Sequence, residues 1–273
     1  MVGADARGFA NLSNCLEDLF SAVSESRLDL IRPAWPLQHC VEVVTTTRQG
    51  GFSRSPYHAL NLALHVGDDQ TSVERNRALL KQQLELPQDP KWLQQVHATT
   101  VVHADQLTPD ETQADASYSQ QAGTVCAILS ADCMPVVLAA CDGSCVAVVH
   151  AGWRGLAAGI LQNTLAVIRS KQTTNIEFYA WLGPAIGPQV FEVGAEVRTE
   201  FIEYDAHLAC AFREHHKHSY LCDLYLLAQH ILAAADVNKV FGGEYCTYSD
   251  KNRFFSYRRT APTGRMATLA YLK

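Results

Sequence analysis

The apolar positions of this chain gather at its centre in three short runs: Thr124 to Ser130, Pro135 to Ala140 and Cys145 to His150. Each is bounded by turn residues and too short for a helix, and each reads as a strand. The last two are joined by CDGS (141–144), where Asp142-Gly143 marks a two-residue hairpin turn. That turn sets Cys141 opposite Ser144 and Pro135 opposite His150. Cys133 stands two residues before Pro135, so alternation points it to the same face. A diagonal neighbour of this kind lies roughly 7–8 Å away by Cα. The hairpin therefore brings Cys133 near His150.

Upstream, Val41 to Thr47 is rich in β-branched residues and predicts a strand. It runs into Arg48 and the loop signal Gly50-Gly51. Thr71 and Glu74 fit a capping box, opening a helix to about Glu85. Trp92 to Val96 and Thr99 to His103 read as strands, and the polar stretch 104–122 reads as loop. Downstream, Leu156, Ile160, Leu165 and Ile168 recur at helical spacing through Arg169. The Gly-flanked AGWRG (151–155) opens that helix, with Arg154 at its N-terminus. Glu177 to Leu182 is a strand, followed by the loop GPAIGP (183–188). Helices are expected over Gly194–Tyr204 and Tyr220–Ala235, and mostly strand over FFSYRR (254–259) and MATLAYL (266–272). Residues 1–28 read as an N-terminal extension, in which Asn14 to Ser26 could form a short amphipathic helix; residues 29–273 form the body.

With 273 residues the chain can bury a full core without staples. Its formal net charge of −6 argues against a general nucleic-acid binder. No apolar stretch approaches the roughly 18 residues of a membrane span, and no signal peptide is evident. Nine cysteines at irregular positions, none in a CxxC pair, argue against a disulfide framework. The expectation is a cytoplasmic protein without a membrane partner.

Against that background three residues stand out. His97 in QQVH (94–97), Cys133 in SADCMP (130–135) and His150 in VVHAGWRG (148–155) offer two imidazoles and a thiolate. This is a natural Zn²⁺ ligand set, and three protein ligands leave a position for water or substrate. Cu²⁺ is the less favoured alternative. Cys133 stands at a strand mouth, with Asp132 and Pro135 beside it. A Cys–His nucleophile pair is the competing chemistry for the same residues. Arg48 and Arg154, each beside glycines, are candidates for binding phosphate or orienting substrate, and Asn61 is a further pocket candidate. HHKH (215–218) could bind copper or zinc, but it falls in a polar stretch between two predicted helices and is read as a solvated loop. There is no Walker A loop, GxGxxG, HExxH or HxE…PCxxC set.

The blocks TTTRQGGFSRSPYHALNLALHVGDD (45–69), QVH (95–97), ADCMPVVL (131–138), AVVHAGWRG (147–155), LGPAIGPQVFEVG (182–194) and FFSYRR…TGR (254–265) resemble the multicopper polyphenol oxidase, or laccase-domain, family. That family is also called the peptidoglycan editing factor or purine nucleoside phosphorylase family. The resemblance covers about residues 30–272. It implies an α+β fold, a single domain with a mixed β-sheet core and helices packed outside. It also implies a catalytic zinc on His97, Cys133 and His150. The implied activity is phosphorolysis of adenosine, inosine and methylthioadenosine, with adenosine deamination; the partners are then purine nucleosides and phosphate. Three alternatives stand beside it: a cysteine hydrolase editing cell-wall peptidoglycan precursors, a copper-dependent polyphenol oxidase, and a non-enzymatic zinc-stabilised binding module. A multicopper centre needs many histidine ligands, whereas one His–Cys–His site suits a Lewis acid.

Overall fold

The structure, a computed structural model, describes residues 27–108 and 112–273. The helix expected over Asn14 to Ser26 lies outside them. In chain order the strands are β1 (Leu30–Ile31), β2 (Val41–Thr46), β3 (Val101–His103), β4 (Ala116–Ser119), β5 (Cys126–Ser130), β6 (Met134–Ala140), β7 (Val146–Ala151), β8 (Phe178–Leu182), β9 (Glu192–Gly194), β10 (Phe212–His216), β11 (Ser219–Cys222), β12 (Lys239–Gly242) and β13 (Met266–Leu272). The helices are α1 (Gln70–Gln83), α2 (Trp153–Ala157), α3 (Ile160–Ser170), α4 (Ala195–Tyr204) and α5 (Leu224–Ala234). Among the described residues the strands form three sheets, ordered β1-β2-β13-β5, β10-β11-β9 and β12-β8-β6-β7-β4-β3. The last is mixed: β12–β8 and β3–β4 run parallel, and its other pairs antiparallel. The fold is α+β, a single domain.

Strand alternation sorts the core into layers. On β6, Met134, Val136, Leu138 and Ala140 face α3 and α5, packing with Leu161, Leu165, Leu227 and Ile231. Val137 and Ala139 point the other way, into a layer shared with Val43 of β2, Ile128 of β5 and Ala270 of β13. The far face of the four-stranded sheet carries Val44, Ala127 and Leu269, covered by Leu79 and Leu80 of α1. Both faces of these strands are buried, so their sequences read as unbroken apolar runs rather than as alternation. Parity matters for function. His150 shares its face with Val146 and Val148, so β7 sends its imidazole into the end of the layer between the two large sheets.

The predicted hairpin register holds: Pro135 pairs with His150 and Ala139 with Val146. The turn itself differs from the expected two-residue form. Only Gly143 has positive φ (73°), and its N–H donates to the Ala140 carbonyl at 3.0 Å, a turn followed by a left-handed glycine.

Other expectations are corrected. α1 is capped by Asp69, which accepts from the Ser72 N–H at 2.8 Å, not by Thr71. Glu74 instead accepts from the Gln70 side chain. Trp92 to Val96 makes only one isolated bridge, at Gln94, with another at Lys91 just before it. The single helix expected from Leu156 to Arg169 is broken at Gly159, which has φ 87°. Tyr220 belongs to β11, not to a helix. Residues 254–256 are irregular and 257–259 form a turn, rather than strand. HHKH is no loop between helices; it closes the hairpin of β10 and β11. The polar stretch 104–122 contains β4, all four of whose residues are buried. Its sequence, ASYS, hides a strand because small hydroxyl residues carry little apolar signal. Leu28, placed in the extension, is buried against the body and donates its N–H to Gln83. No helix among the described residues is long and apolar enough to cross a membrane.

Candidate metal centre

β4 matters because of the residue before it. Asp115 is fully buried. Its Oδ1 accepts from His150 Nδ1 at 2.9 Å and from the His97 N–H at 2.9 Å. Its Oδ2 accepts from the N–H groups of Val96 (3.1 Å) and Ala98 (2.8 Å). Three successive backbone N–H groups thus form a nest around one carboxylate. That nest holds His97 in the left-handed region, at φ 61°. One side chain therefore orients two imidazoles, the first through its backbone and the second through its ring. The carboxylate–histidine contact on His150 turns Nε2 toward the site, the arrangement that usually backs a metal-bound histidine.

Cys133 is held by a different device. It lies in the bend before β6, outside the regular strand, and the residue before it, Asp132, has φ 91°. The Asp132 carboxylate is pinned by Thr247 Oγ1 (2.6 Å), Ser256 Oγ (3.0 Å) and the Arg258 N–H (2.7 Å). Cys133 Sγ comes within 3.7 Å of His97 Nε2. The His97 and His150 rings meet edge-on, 4.8 Å between centroids. The ligand atoms of His97, Cys133 and His150 all lie within 4.8 Å of one another. Sulfur at about 2.3 Å and nitrogen at about 2.0–2.1 Å from one tetrahedral Zn²⁺ would stand roughly 3.6 Å apart, so the observed spacing fits an ion. The close approach also depends on Gly152, where a Cβ would sit 2.8 Å from Cys133 Sγ and 3.2 Å from His97 Cδ2.

Charge reinforces the arrangement. Burial alone would push the Cys133 thiol up, but His150, through charge and a hydrogen bond, and His97 bring it down to about 6. Burial alone would lower His150; the Cys133 thiolate and Asp115 raise it to about 9. Asp115 is held below the usual carboxylate range, His150 and the backbone N–H groups outweighing its burial. In the metal-free protein these opposite shifts favour a thiolate–imidazolium pair, and a metal would displace the imidazole proton. Alkylation of Cys133 in metal-stripped protein is therefore expected to switch on with a midpoint near pH 6, well below the roughly 8.5 of a free thiol. Below that midpoint the thiol is protonated and slow. Peptide mass spectrometry after a pH series of iodoacetamide reads this, and a midpoint above pH 8 would contradict the pairing.

The three residues open onto a cavity of about 540 Å³, within the usual range for a small-molecule site. Of the candidate anion residues, Arg154 lines it, its guanidinium 4.4 Å from the Trp153 ring centroid. Arg48 does not line it. Its Nε and Nη2 donate to the His58 carbonyl and its Nη1 to that of Lys251, so it ties loops together. Asn61 is also structural: fully buried, it bonds Ala63, Asp68 and the Arg265 N–H. It acts on the cavity at second hand, because Arg265 lines the wall. Arg265, Arg258 and His65, also on the wall, were not singled out from the sequence. The Arg258 and Arg265 positions fall inside the FFSYRR…TGR block, which was the available signal.

Known proteins resemble this chain in sequence and in fold. The family model described as multi-copper polyphenol oxidoreductase laccase matches residues 42–273, a span that takes in all three ligand candidates and Asp115. The chain belongs to this family. A Shigella flexneri member named purine nucleoside phosphorylase YfiH is 48% identical over 243 residues, covering 89% of this chain and 98% of its own. The family member of that name from Escherichia coli K12 is 46% identical over the same length. A crystal structure of a Neisseria meningitidis protein matches with TM-score 0.84 at 42% identity, over 89% of this chain and 99% of that one. YlmD from Geobacillus stearothermophilus matches with TM-score 0.81 at 30% identity, over 91% and 97%. The family's description names a metal, and the His–Cys–His group is chemically suited to one.

Proposed function

We propose that this protein is a zinc-dependent purine nucleoside phosphorylase acting on adenosine, inosine and methylthioadenosine, with adenosine deamination as a second activity. One observation carries the reading: the N,N,S ligand group opens onto a cavity whose wall also presents Arg154, Arg258 and Arg265. The names of the relatives supply the substrate class. His97, Cys133 and His150 would hold the ion, which when bound supplies a Lewis acid or an activated water.

The remaining residues do the binding. In phosphorolysis a phosphate oxygen bonds to ribose C1′ as the C1′–N bond to the base breaks. The base departs with the electron pair and takes up a proton. A doubly charged phosphate asks for guanidinium donors. Arg265 is fixed by its own bonds to the carbonyls of Thr263 and Gly264. Arg154 donates to no other described residue and stays available. Partial desolvation and the nearby Arg265 and Arg77 push the His65 imidazole down, which favours the neutral ring beside those arginines.

The test is to incubate purified, metal-loaded protein with adenosine or inosine and phosphate. Equal yields of free base and ribose 1-phosphate are expected, with some inosine from adenosine. Absence of all these products with metal bound overturns the reading. Arg265→Ala is expected to raise the KM for phosphate by roughly 10–100-fold, the worth of one charged hydrogen bond.

The thiolate–imidazolium pair favours a second reading, a cysteine hydrolase with Cys133 as nucleophile. It requires turnover that survives chelation and a covalent adduct on Cys133.

A further inference from the structure

A second group of metal-binding side chains lies outside the cavity, on the small sheet. β9 and β10 both flank β11, and the β10–β11 pairing is interrupted between Glu214 and His216. Glu214 faces Tyr220 and His216 faces Ser219, leaving His215 as the extra residue. Consecutive residues on a regular strand point to opposite faces. A bulge cancels that rule, because two residues then oppose one and a side chain is re-aimed. Here it brings His215 and His216 together, with ring centroids 3.9 Å apart. Glu192 reaches them from β9, two strands away. The ligand atoms of Glu192, His215 and His216 lie within 4.8 Å of one another, and all three residues are exposed.

The cluster is held by its surroundings. Ser219 Oγ accepts from the His216 N–H, and the Ser219 hydroxyl bonds the Glu192 carboxylate. One hydroxyl thus links a ligand candidate on β9 to one on β10. Arg258, the nearby cation, donates to the backbone carbonyl of Glu192 rather than to its carboxylate. That leaves the carboxylate turned to the two imidazoles.

We propose that Glu192, His215 and His216 form a second metal site that takes a Cu²⁺ or Zn²⁺ ion from solution. Two imidazoles and a carboxylate are a nitrogen–oxygen set suited to these ions, and Cu²⁺ is the tighter binder in the divalent series. Three exposed protein ligands leave the rest of the coordination to water, so this ion exchanges where the central one is retained. The site is independent of the nucleoside reading, since none of its three residues touches the His–Cys–His group.

The test uses full-length protein already carrying one equivalent of zinc at the central site. ZnCl₂ or CuCl₂ alone is then titrated by calorimetry, with bound metal counted at equilibrium by dialysis. The parent is expected to take up a second equivalent of either ion, Cu²⁺ at least tenfold tighter. The double variant His215→Gln/His216→Gln is expected to lose that second equivalent and to keep the first, its melting temperature and its turnover. The side chains are exposed, so the variant folds. Bound Cu²⁺ in the parent should show electron paramagnetic coupling to two nitrogens. A parent that stops at one equivalent, a second equivalent undiminished in the double variant, or copper without nitrogen coupling would each overturn the proposal.

Discussion

Cys133→Ala is expected to empty the central site and reduce nucleoside turnover by roughly 10²–10³-fold or more, the several kcal/mol that a Lewis acid supplies. The fold should survive. Cys133 sits in a bend at the cavity wall, and the apolar layers beneath it do not include its side chain. Cys133→Ser, which keeps a small polar group, should behave in the same way. Metal content, steady-state rates and melting temperature together separate three readings. Loss of metal and turnover with a retained fold supports the metal enzyme. Turnover in stripped parent protein, lost in both variants, supports the cysteine hydrolase. A collapse in stability, with no activity in the parent, supports a structural zinc.

Asp115 should be the most sensitive position outside the ligands. Asp115→Ala removes the partner of buried His150 and the acceptor for the Val96, His97 and Ala98 N–H groups. Breaking a buried pair from one side costs about 3–5 kcal/mol, and the nest that keeps His97 left-handed goes with it. Asp115→Asn is the milder probe. It preserves shape but weakens the orientation of both imidazoles, and such outer partners are typically worth 10–100-fold in metal affinity. Competition with a chromophoric chelator measures that affinity, and urea unfolding measures stability. If Asp115→Asn binds metal as tightly as the parent, the carboxylate is not orienting the ligands.

The hairpin was the most legible part of the chain. Turn residues between two apolar runs specified the pairing of Pro135 with His150, and the register followed even though the turn took another form. The juxtaposition of Cys133 and His150 was therefore visible from spacing. The carboxylate behind them was not. Asp115 lies in a stretch whose polarity reads as loop, and its one cue is a lone charge between Ala114 and Ala116. His97 could be placed at the site only by resemblance, because its backbone N–H donates to a carboxylate 18 positions away. Arg48 and Asn61 stand away from the cavity for a related reason. Glycine neighbours announce a turn but do not say who uses the donors, and here backbone carbonyls use those of Arg48. The cluster at Glu192 was hidden because period-2 logic separates His215 from His216, and only a bulge unites them.

The position of the last strand has a consequence for how the molecule is made. β13 comes last in chain order among the described strands, yet it lies between β2 and β5 in the four-stranded sheet. A chain emerging from the ribosome can pair β6 with β7 early, but β2 and β5 have no common neighbour until β13 has been made. Synthesis proceeds at about 5–20 residues per second. For that interval the floor of the cavity, including Ser130 opposite Met266, is unfinished. The growing protein can acquire its ligand residues before it can enclose a substrate, and the enclosure is completed only once β13 has docked.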